Sequence, residues 1–273
     1  QRVALAGVLI DNEPILLLNE PLANLDPAAG RDSMKLINWL VKNQNLTVII
    51  IDHRNEEVLQ IPIDRMVVLA DGQIIADDQP DQLLKSNLLL TNGLREPLYV
   101  TALKTAGVAV DHLENLADLA SLKLDKGDHA KLNSWMAAQP APKVPTKKQP
   151  IIEVKQMTFG YPGAPTIFDQ FDLTIHQGEM VALVGKNGTG KTTLINLITG
   201  FLKPTSGNLY FNQTDISDDS VKQRASRIGY VLQDPNQMIS KTMIFDEVAL
   251  GLQLRGLDPE TIKKYVLETL QIT

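Results

Sequence analysis

The segment GKNGTGKTT, residues 185–193, has the residue types and the spacing GxxxxGK[ST] of a phosphate-binding loop. Glycines let backbone N–H groups surround phosphate oxygens, and a following helix adds its partial positive charge. Lys191 would neutralise β and γ oxygens, and the Thr192 hydroxyl would ligate Mg²⁺. The alternative is a chance glycine turn. The predicted nucleotide-binding loop consists of Gly185, Lys186, Asn187, Gly188, Thr189, Gly190, Lys191, Thr192 and Thr193.

Two further side chains would extend this site. Tyr161 follows the apolar pattern IIEVKQMTFG and would stack on adenine, a contact worth on the order of 1–3 kcal/mol per base. Gln233 follows the run GYVL, which predicts a strand, and would reach Mg²⁺ or the attacking water. Each residue also has a plainer interpretation, because turn tyrosines often serve packing and surface glutamines are common.

The elements around the loop are predicted from apolar patterns. DLTIHQGEMVALVG indicates two strands flanking the HQGE turn, and the second strand, VALV, runs directly into the loop. TTLINLITG indicates the helix after the loop. A strand, the glycine loop and a helix in this order form the context in which the motif binds phosphate.

Residues 1–90 alternate strand and helix patterns, which predicts an α/β domain with a parallel sheet. A strand at 15–19 ends beside Glu20, and the β-branched run TVIIID predicts a second, fully buried strand that ends before His53. Helices are expected near 27–43 and after His53. The apolar face of the first helix is predicted to contain Leu36, Ile37, Leu40 and Val41.

The rest of the first region and the middle of the chain carry weaker signals. RMVVLADGQIIAD predicts a hairpin, because Asp71 and Gly72 tolerate positive φ angles, and QPDQLL predicts a helix. Residues 91–136 contain short helical patterns such as HLENLADLASLKL. The four prolines of residues 137–150 predict an extended, exposed linker.

Composition excludes several classes of protein. The net charge of −6 argues against a nucleic-acid surface, which would need a surplus of Lys and Arg. The absence of cysteine excludes disulfides and thiolate metal sites. His112, His129 and His176 are isolated, without metal-ligand spacing, and are predicted to be ordinary surface histidines. The apolar runs are of strand length, far below the roughly 20 residues of a membrane-spanning helix.

Together these motifs resemble those of the ATP-binding cassette (ABC) family. GKNGTGKTT resembles its Walker A motif, Tyr161 its adenine-stacking aromatic residue and Gln233 its Q-loop glutamine. ILLLNEP resembles Walker B with the catalytic glutamate at Glu20. ANLD resembles the D-loop, an interface motif, with Asp26, and IIIDHR resembles the switch histidine motif with His53.

The order of these motifs is unusual for the family. In the family, the aromatic residue, Walker A and Q-loop precede Walker B, D-loop and histidine, but here the second group comes first. We interpret the chain as part of a tandem protein, holding the back half of one cassette and the front half of the next. Gln1 and Arg2 resemble the residues at the end of an LSGGQ signature and just after it, which favours a cut inside a longer protein. The alternative is a circular permutation.

The predicted fold is therefore an α/β, P-loop nucleoside triphosphate hydrolase fold split across two partial cassettes. The expected boundaries are 1–90 for the back half of the first cassette, 91–150 for a helical segment and Pro-rich linker, and 151–273 for the front half of the second. In the family's usual arrangement no complete active site can be assembled from this chain. A pairing of 1–90 with 151–273 as a permuted pseudo-cassette is a further hypothesis.

The resemblance also assigns roles. Glu20 would polarise the water that attacks the γ-phosphate, and His53 would hold this water and the phosphate in line. Asn19 stands where the family has an aspartate that orients Mg²⁺, and asparagine keeps an oxygen but loses the charge. Such changes commonly cost about 10–100-fold in metal affinity or activity. The first site would then be slow or degenerate, unless Glu20 alone suffices.

The expected function is ATP binding and hydrolysis, with Mg²⁺, in an ABC transporter. QDPNQ resembles a segment of energy-coupling-factor importers, which take up vitamins or metal ions. Expected partners are transmembrane subunits and a second cassette, on this chain or another copy, at the cytoplasmic face of the membrane, and no nucleic acid. The runner-up is a soluble tandem ABC protein of the translation-associated kind. A third hypothesis is that the chain alone only binds nucleotide.

Overall fold

A computed structural model describes residues 7, 14–23, 25–44, 46–140 and 148–272. Gln1, Arg2 and residues 141–147 of the Pro-rich stretch lie outside the described residues. The chain divides into two compact units. The first contains the described part of residues 1–146 together with 182–189, and the second contains the described part of 147–181 and 190–273.

The first unit alternates strands and helices up to residue 58 and then continues with a hairpin and short helices. Its elements are β1 (Ile15–Asn19), α1 (Pro27–Gln44), β2 (Thr47–Ile51), α2 (Asn55–Val58), β3 (Met66–Ala70), β4 (Gln73–Asp78), α3 (Pro80–Lys85), α4 (Leu88–Thr91), α5 (Leu98–Thr105), a 3₁₀ turn (Val110–His112) and α6 (Lys126–Ala138).

β1 and β2 pair in parallel, from Ile15 beside Thr47 to Asn19 beside Ile51. One face of this two-stranded sheet is covered, and Leu16 is 4% exposed there. On the other face Leu17 is 70% exposed and Ile51 is 62% exposed. The prediction that β2 is fully buried is therefore wrong, because only one of its faces meets another element among the described residues.

α1 begins and packs for identifiable reasons. The Asp26 carboxylate accepts hydrogen bonds from the N–H groups of Ala28 and Ala29, which have no partner inside the helix. Its buried stripe repeats at helical spacing, so the predicted helix is confirmed but its apolar face is shifted, and Leu36 is exposed. The buried residues of α1 are Gly30, Met34, Ile37 and Leu40.

The predicted hairpin is confirmed as β3 and β4, which pair antiparallel. Asp71 and Gly72 have φ angles of 49° and 74°, the two positive values that a tight type I′ hairpin turn needs. α3 then begins at Pro80, whose missing N–H costs nothing at the first helical position.

Residues 86–138 form a helical region around a core that also includes Leu59, directly after α2, and Val68 of β3. Leu89, Val100 and Leu116 are almost fully buried in it. HLENLADLASLKL does not form a continuous helix: after the 3₁₀ turn, Asn115 adopts a left-handed φ of 55° and the chain continues in turns. The next helix is α6, which begins only after Asp125.

The second unit is built on an antiparallel sheet with strand order β6-β5-β7-β8. Its core lies between this sheet and α7, where Val154, Leu197 and Leu209 are buried. Its elements are β5 (Pro150–Gly160), β6 (Thr166–His176), α7 (Lys191–Thr199), β7 (Ser206–Phe211), β8 (Thr214–Asp215), α8 (Val221–Ala225), a 3₁₀ turn (Pro235–Gln237), α9 (Ile244–Leu254) and α10 (Pro259–Ile272).

Two predicted strands are not formed. VALV (181–184) and the run GYVL before Gln233 have no regular secondary structure and no ladder partner among the described residues. A strand exists only through hydrogen bonds to a neighbour, and the described residues offer none to these segments. Val184 is consequently 88% exposed and Val231 74% exposed. Among the helices that the structure describes, none combines the length and apolar character needed to span a membrane.

Candidate phosphate-binding and hydrolytic sites

The glycine loop ends where α7 begins, at Lys191. Gly190 has a φ of 91°, and a Cβ atom on it would lie 2.6 Å from Ile167 Cγ2 and 3.0 Å from Phe168 Cζ. Any larger residue would therefore push the helix start away from β6. The N-terminus of α7 and its Lys191 are thus held at the end of the loop by close packing that only glycine permits.

The preceding part of the loop is a tight turn closed by its own side chains. The Thr189 hydroxyl donates to the Lys186 carbonyl oxygen at 3.0 Å. A Cβ atom on Gly185 would lie 2.9 Å from Thr189 Oγ1, and Gly188 has a φ of 83°. Residues 185–189 are exposed. The turn therefore lies at the surface, where an anionic ligand can approach.

Tyr161 lies just beyond β5, beside the first turn of α7. Its hydroxyl is 3.3 Å from Thr193 Oγ1, and its ring meets Phe159 edge-on at 5.1 Å between centroids. Tyr161 is 42% exposed, whereas Thr193 is 7% exposed. The phenol ring can therefore offer a face to a ligand while remaining attached to the helix after the loop.

Gln233 is exposed and lies in a bend directly before the Pro235–Gln237 turn. The Asp234 carboxylate accepts the Asn236 N–H at 3.1 Å and so shapes this turn. Thr192, the predicted Mg²⁺ ligand of the loop, is likewise exposed in the first turn of α7. Hydroxyl and amide oxygens are ligands that Mg²⁺ accepts.

The other group of predicted site residues lies at the carboxyl ends of β1 and β2. Glu20 has a left-handed φ of 46°, and its N–H donates to the Ile51 carbonyl oxygen at 2.7 Å. His53 Nδ1 is 3.6 Å from Glu20 Oε1, and both side chains are more than half exposed. Asn19 is the last residue of β1, paired with Ile51. A carboxylate and an imidazole at this separation are well placed to share a water molecule.

Asp26 connects this group with the glycine loop inside the first unit. Its Oδ1 caps α1, while its Oδ2 accepts the Asn187 N–H at 3.1 Å. The Ala29 N–H, followed by the Asn187 N–H, lowers the pKa of the Asp26 carboxyl. A backbone N–H of the loop is therefore already bound to an anion, which is the property that phosphate binding requires.

A third cluster lies at the start of α6. His112 Nε2 is 3.1 Å from Asp128 Oδ2, and Asp125 and Asp128 form a reciprocal capping box. One ligand atom from each of the three residues falls within 4.8 Å of the others. The Asp128 N–H lowers the pKa of Asp125, and the positive end of the helix disfavours a cation. This cluster is a helix cap tied to a histidine.

The prediction that His112 and His176 are isolated is therefore wrong. The turns of residues 113–124 bring Asp125 and Asp128 close to His112, which the spacing of these residues along the sequence did not indicate. His176 Nδ1 lies 3.0 Å from Glu179 Oε2. The HQGE turn brings this pair together, since the Glu179 carboxylate also accepts the His176 N–H.

Two family models match the chain. Residues 168–271 match the ABC transporter family, and this range includes the glycine loop and Gln233. Residues 86–159 match a family described as ATP-binding cassette cobalt transporter. This second range includes α4, so the helical middle of the chain, which carried no functional signal in the sequence, matches a family model.

Curated relatives extend the match to the whole chain. A protein of Lactiplantibacillus plantarum, named as an ABC transporter ATP-binding protein, is 53% identical over 272 residues, covering 100% of this chain and 48% of that protein. A similarly named protein of Streptococcus pneumoniae is 48% identical and is covered over 47% of its length. The chain spans about half the length of the curated relatives it matches.

A solved structure, cbiO1 from Clostridium perfringens, described as part of the ABC transporter complex cbiONQ, is 28% identical at a TM-score of 0.42. The match covers 45% of this chain and 50% of the cbiO1 chain. The sequence of the chain is thus similar to ATP-binding proteins of ABC transporters, a family of ATPases, and the family match itself covers residues 168–271. Its mixed helices and sheets are consistent with a P-loop nucleoside triphosphate hydrolase fold.

Proposed function

We propose that this chain is part of the ATP-binding subunit of an ABC importer. In this proposal, ATP binding and hydrolysis drive uptake of a small solute through transmembrane partner subunits at the cytoplasmic face of the membrane. The observation that carries it is the ABC transporter match of residues 168–271, with the glycine loop at the start of α7 inside it.

The chain is further proposed to hold two partial cassettes in tandem, with the boundaries 1–90, 91–150 and 151–273. The inverted order of the two motif groups supports this arrangement. The apolar face of β1 and β2 and the unpaired run 181–184 are surfaces that a complete parallel sheet would cover on both sides. The curated relative from Lactiplantibacillus plantarum is about twice as long as this chain, so its length would accommodate the other half of each cassette.

Asp26 is proposed as an interface residue between cassettes. Its contact with the Asn187 N–H joins the first motif group to the phosphate loop of the second, 161 residues later in the chain. In a tandem protein this contact would let each cassette sense whether the neighbouring loop holds phosphate.

In the nucleotide site, the loop 185–193 would hold the phosphates through its backbone N–H groups and Lys191, while Tyr161 would stack on adenine. Thr192 and Gln233 offer Mg²⁺ exposed oxygen ligands in the second cassette, and Asn19 offers one in the first. A bound Mg²⁺ neutralises phosphate charge. Glu20 would polarise the attacking water and His53 would orient it, as their shared strand-end position allows.

The transported solute is proposed to be a vitamin or a metal ion. The family description at residues 86–159 names cobalt, which favours a metal ion and favours transport over the translation-associated alternative. The helical middle segment would then belong to the transport machinery.

Uptake of radiolabelled cobalt by cells that express the full-length protein with its membrane partners tests the proposal. Lys191→Ala and Glu20→Gln are expected to reduce ATP-dependent uptake, with Lys203→Ala, an exposed lysine beyond α7, as the matched control. Uptake of a vitamin but not of cobalt would mean that the transported solute is a vitamin. The proposed ATP-driven uptake would still stand. ATP-independent uptake that ignores Lys191→Ala would contradict the function.

A further inference from the structure

The two residues that flank His53 belong to a local network of charges. The Asp52 side chain is 1% exposed, and its Oδ1 accepts the Arg54 N–H at 2.8 Å. Arg54 Nε lies 3.0 Å from Glu57 Oε2. His53 is therefore carried on a short loop whose backbone direction is set by Asp52 before it and by Arg54 after it.

This loop continues into α2, which has only four residues. A helix this short is not stable alone, so its orientation depends on contacts outside itself. Asn55 Nδ2 donates to the Arg95 carbonyl oxygen at 2.8 Å. Glu56 Oε2 accepts the Leu98 N–H at 3.3 Å. The two contacts reach 40 and 42 residues along the chain, to the segment that leads into α5.

The Glu56 contact supplies a cap that α5 lacks. Leu98 is the first residue of α5, where backbone N–H groups have no partner inside the helix, and Pro97 provides no side-chain cap. A carboxylate at this end also complements the helix dipole. Burial, followed by the charges of Asp118, Asp81 and Glu56, raises the pKa of the next residue, Tyr99, to about 12.

The segment that receives these contacts is firmly anchored. Lys104 Nζ lies 2.6 Å from Glu96 Oε1 and 2.6 Å from the Ser86 carbonyl oxygen, and the Glu96 side chain is fully buried. Leu59, directly after α2, is buried in the same core as Leu89 and Val100. We define residues 86–105 as the brace segment.

We propose that Asn55 and Glu56 are positioning residues for His53, and that the brace segment holds the His53 loop in its hydrolytic position. This inference rests on the proposed function and extends it. Residues 86–159, which match a family of their own, would then form a module that adjusts the rate of ATP hydrolysis through the position of His53. Movement of the brace segment would change the rate of the chemical step more than nucleotide affinity.

Steady-state ATPase kinetics of the full-length protein test this role. Asn55→Ala and Glu56→Ala each remove one hydrogen bond and are expected to lower kcat about 3–10-fold, with KM for ATP changed less than about twofold. Glu56→Gln keeps an acceptor oxygen and is expected to restore most of the rate. In Glu56→Ala, deuterium uptake by residues 52–59 is expected to rise.

Asp77→Asn is the matched control, because it breaks the Arg65 ion pair on the hairpin of the same unit without touching α2. An unchanged kcat in the double variant Asn55→Ala/Glu56→Ala, together with a large loss of kcat in His53→Ala, would overturn this inference. The proposed function would still stand in that case. No loss in His53→Ala would contradict the proposed function, and the inference with it. Equal losses in Glu56→Gln and Glu56→Ala, with KM raised, would also overturn positioning.

Discussion

The parallel pair of β1 and β2 and the antiparallel sheet of β5 to β8 differ in how completely other elements cover their faces. β1 and β2 form a parallel pair whose outer face exposes Leu17 and Ile51. The antiparallel sheet of β5 to β8 closes a core with α7, in which Leu197 and Val154 are buried. Parallel sheets are stable mainly when both faces are covered, whereas antiparallel sheets tolerate water on one face.

The two regions therefore differ in how much of the packing around their motif residues this chain supplies. The sheet around α7 already fixes the end of the phosphate loop against β6 through Gly190. The parallel pair places Glu20 and His53 side by side but leaves their sheet half covered. The end of the glycine loop and the start of α7 are therefore packed by neighbouring residues, whereas Glu20 and His53 follow strands of a sheet with one exposed face.

Core truncation should show the largest contrast between the two regions. Leu197→Ala removes a buried side chain and is expected to lower the free energy of unfolding by about 3 kcal/mol. Leu17→Ala in this chain is expected to cost less than about 0.5 kcal/mol, because its side chain is exposed. Urea denaturation followed by circular dichroism measures both. Equal costs would contradict the contrast.

The same measurement on the full-length protein sharpens the comparison. If the first cassette is complete there, the Leu17 face is covered, and Leu17→Ala is expected to cost about 2 kcal/mol or more. A cost that stays below about 0.5 kcal/mol, the usual range for a surface substitution, would show that nothing covers this face.

Nucleotide affinity provides the next largest effect. Lys191→Ala is expected to weaken ATP binding by the 273-residue chain roughly 100-fold, since charged hydrogen bonds to phosphate are lost. Isothermal titration calorimetry measures this change, with Lys203→Ala as the control. Unchanged affinity in Lys191→Ala would place nucleotide binding elsewhere.

Asn19→Asp tests whether the parallel pair carries a weakened site. The added charge is expected to raise ATP turnover by the full-length protein roughly tenfold, the lower end of what lost metal-orienting groups cost. Phosphate release under saturating ATP and Mg²⁺ measures it. An unchanged rate would mean that Glu20 alone suffices and that Asn19 does not weaken the site.

The smallest effect concerns the contact between Asp26 and the loop. The pKa of Asp26 is lowered below 3.8, so its carboxylate accepts the Asn187 N–H at all higher pH values and loses it as the pH falls through the lowered pKa. The Asn187 amide shift in nuclear magnetic resonance should titrate with a midpoint below 3.8. Asp26→Asn should abolish this titration, and a midpoint above 3.8 would contradict the contact.

Features set by neighbouring residues could be predicted from the sequence. The hairpin follows from Asp71 and Gly72, whose positive φ angles are a local property. The start of α1 follows from Asp26 and Pro27, and β1 from a short apolar run. The glycine loop and its helix were predictable for the same reason, because the motif specifies its own backbone geometry.

Features that depend on distant partners could not be predicted. The run 181–184 has strand composition, but a strand also needs a neighbour that its own residues do not specify. The pairing of His112 with Asp128 required the turns between them, and the contact of Asn55 with Arg95 spans 40 residues. Within the part of the chain that the structure describes, the exposed apolar faces of β1 and β2 indicate that this parallel pair needs a covering element.

The most direct test of the central claim is to measure ATP binding and phosphate release in one sample of the 273-residue chain with Mg²⁺. If the two motif groups belong to different cassettes, the chain should bind ATP saturably through Lys191 and release no phosphate above the uncatalysed rate. Steady phosphate release that Glu20→Gln abolishes would contradict this account, because it would mean that both groups complete one site within this chain.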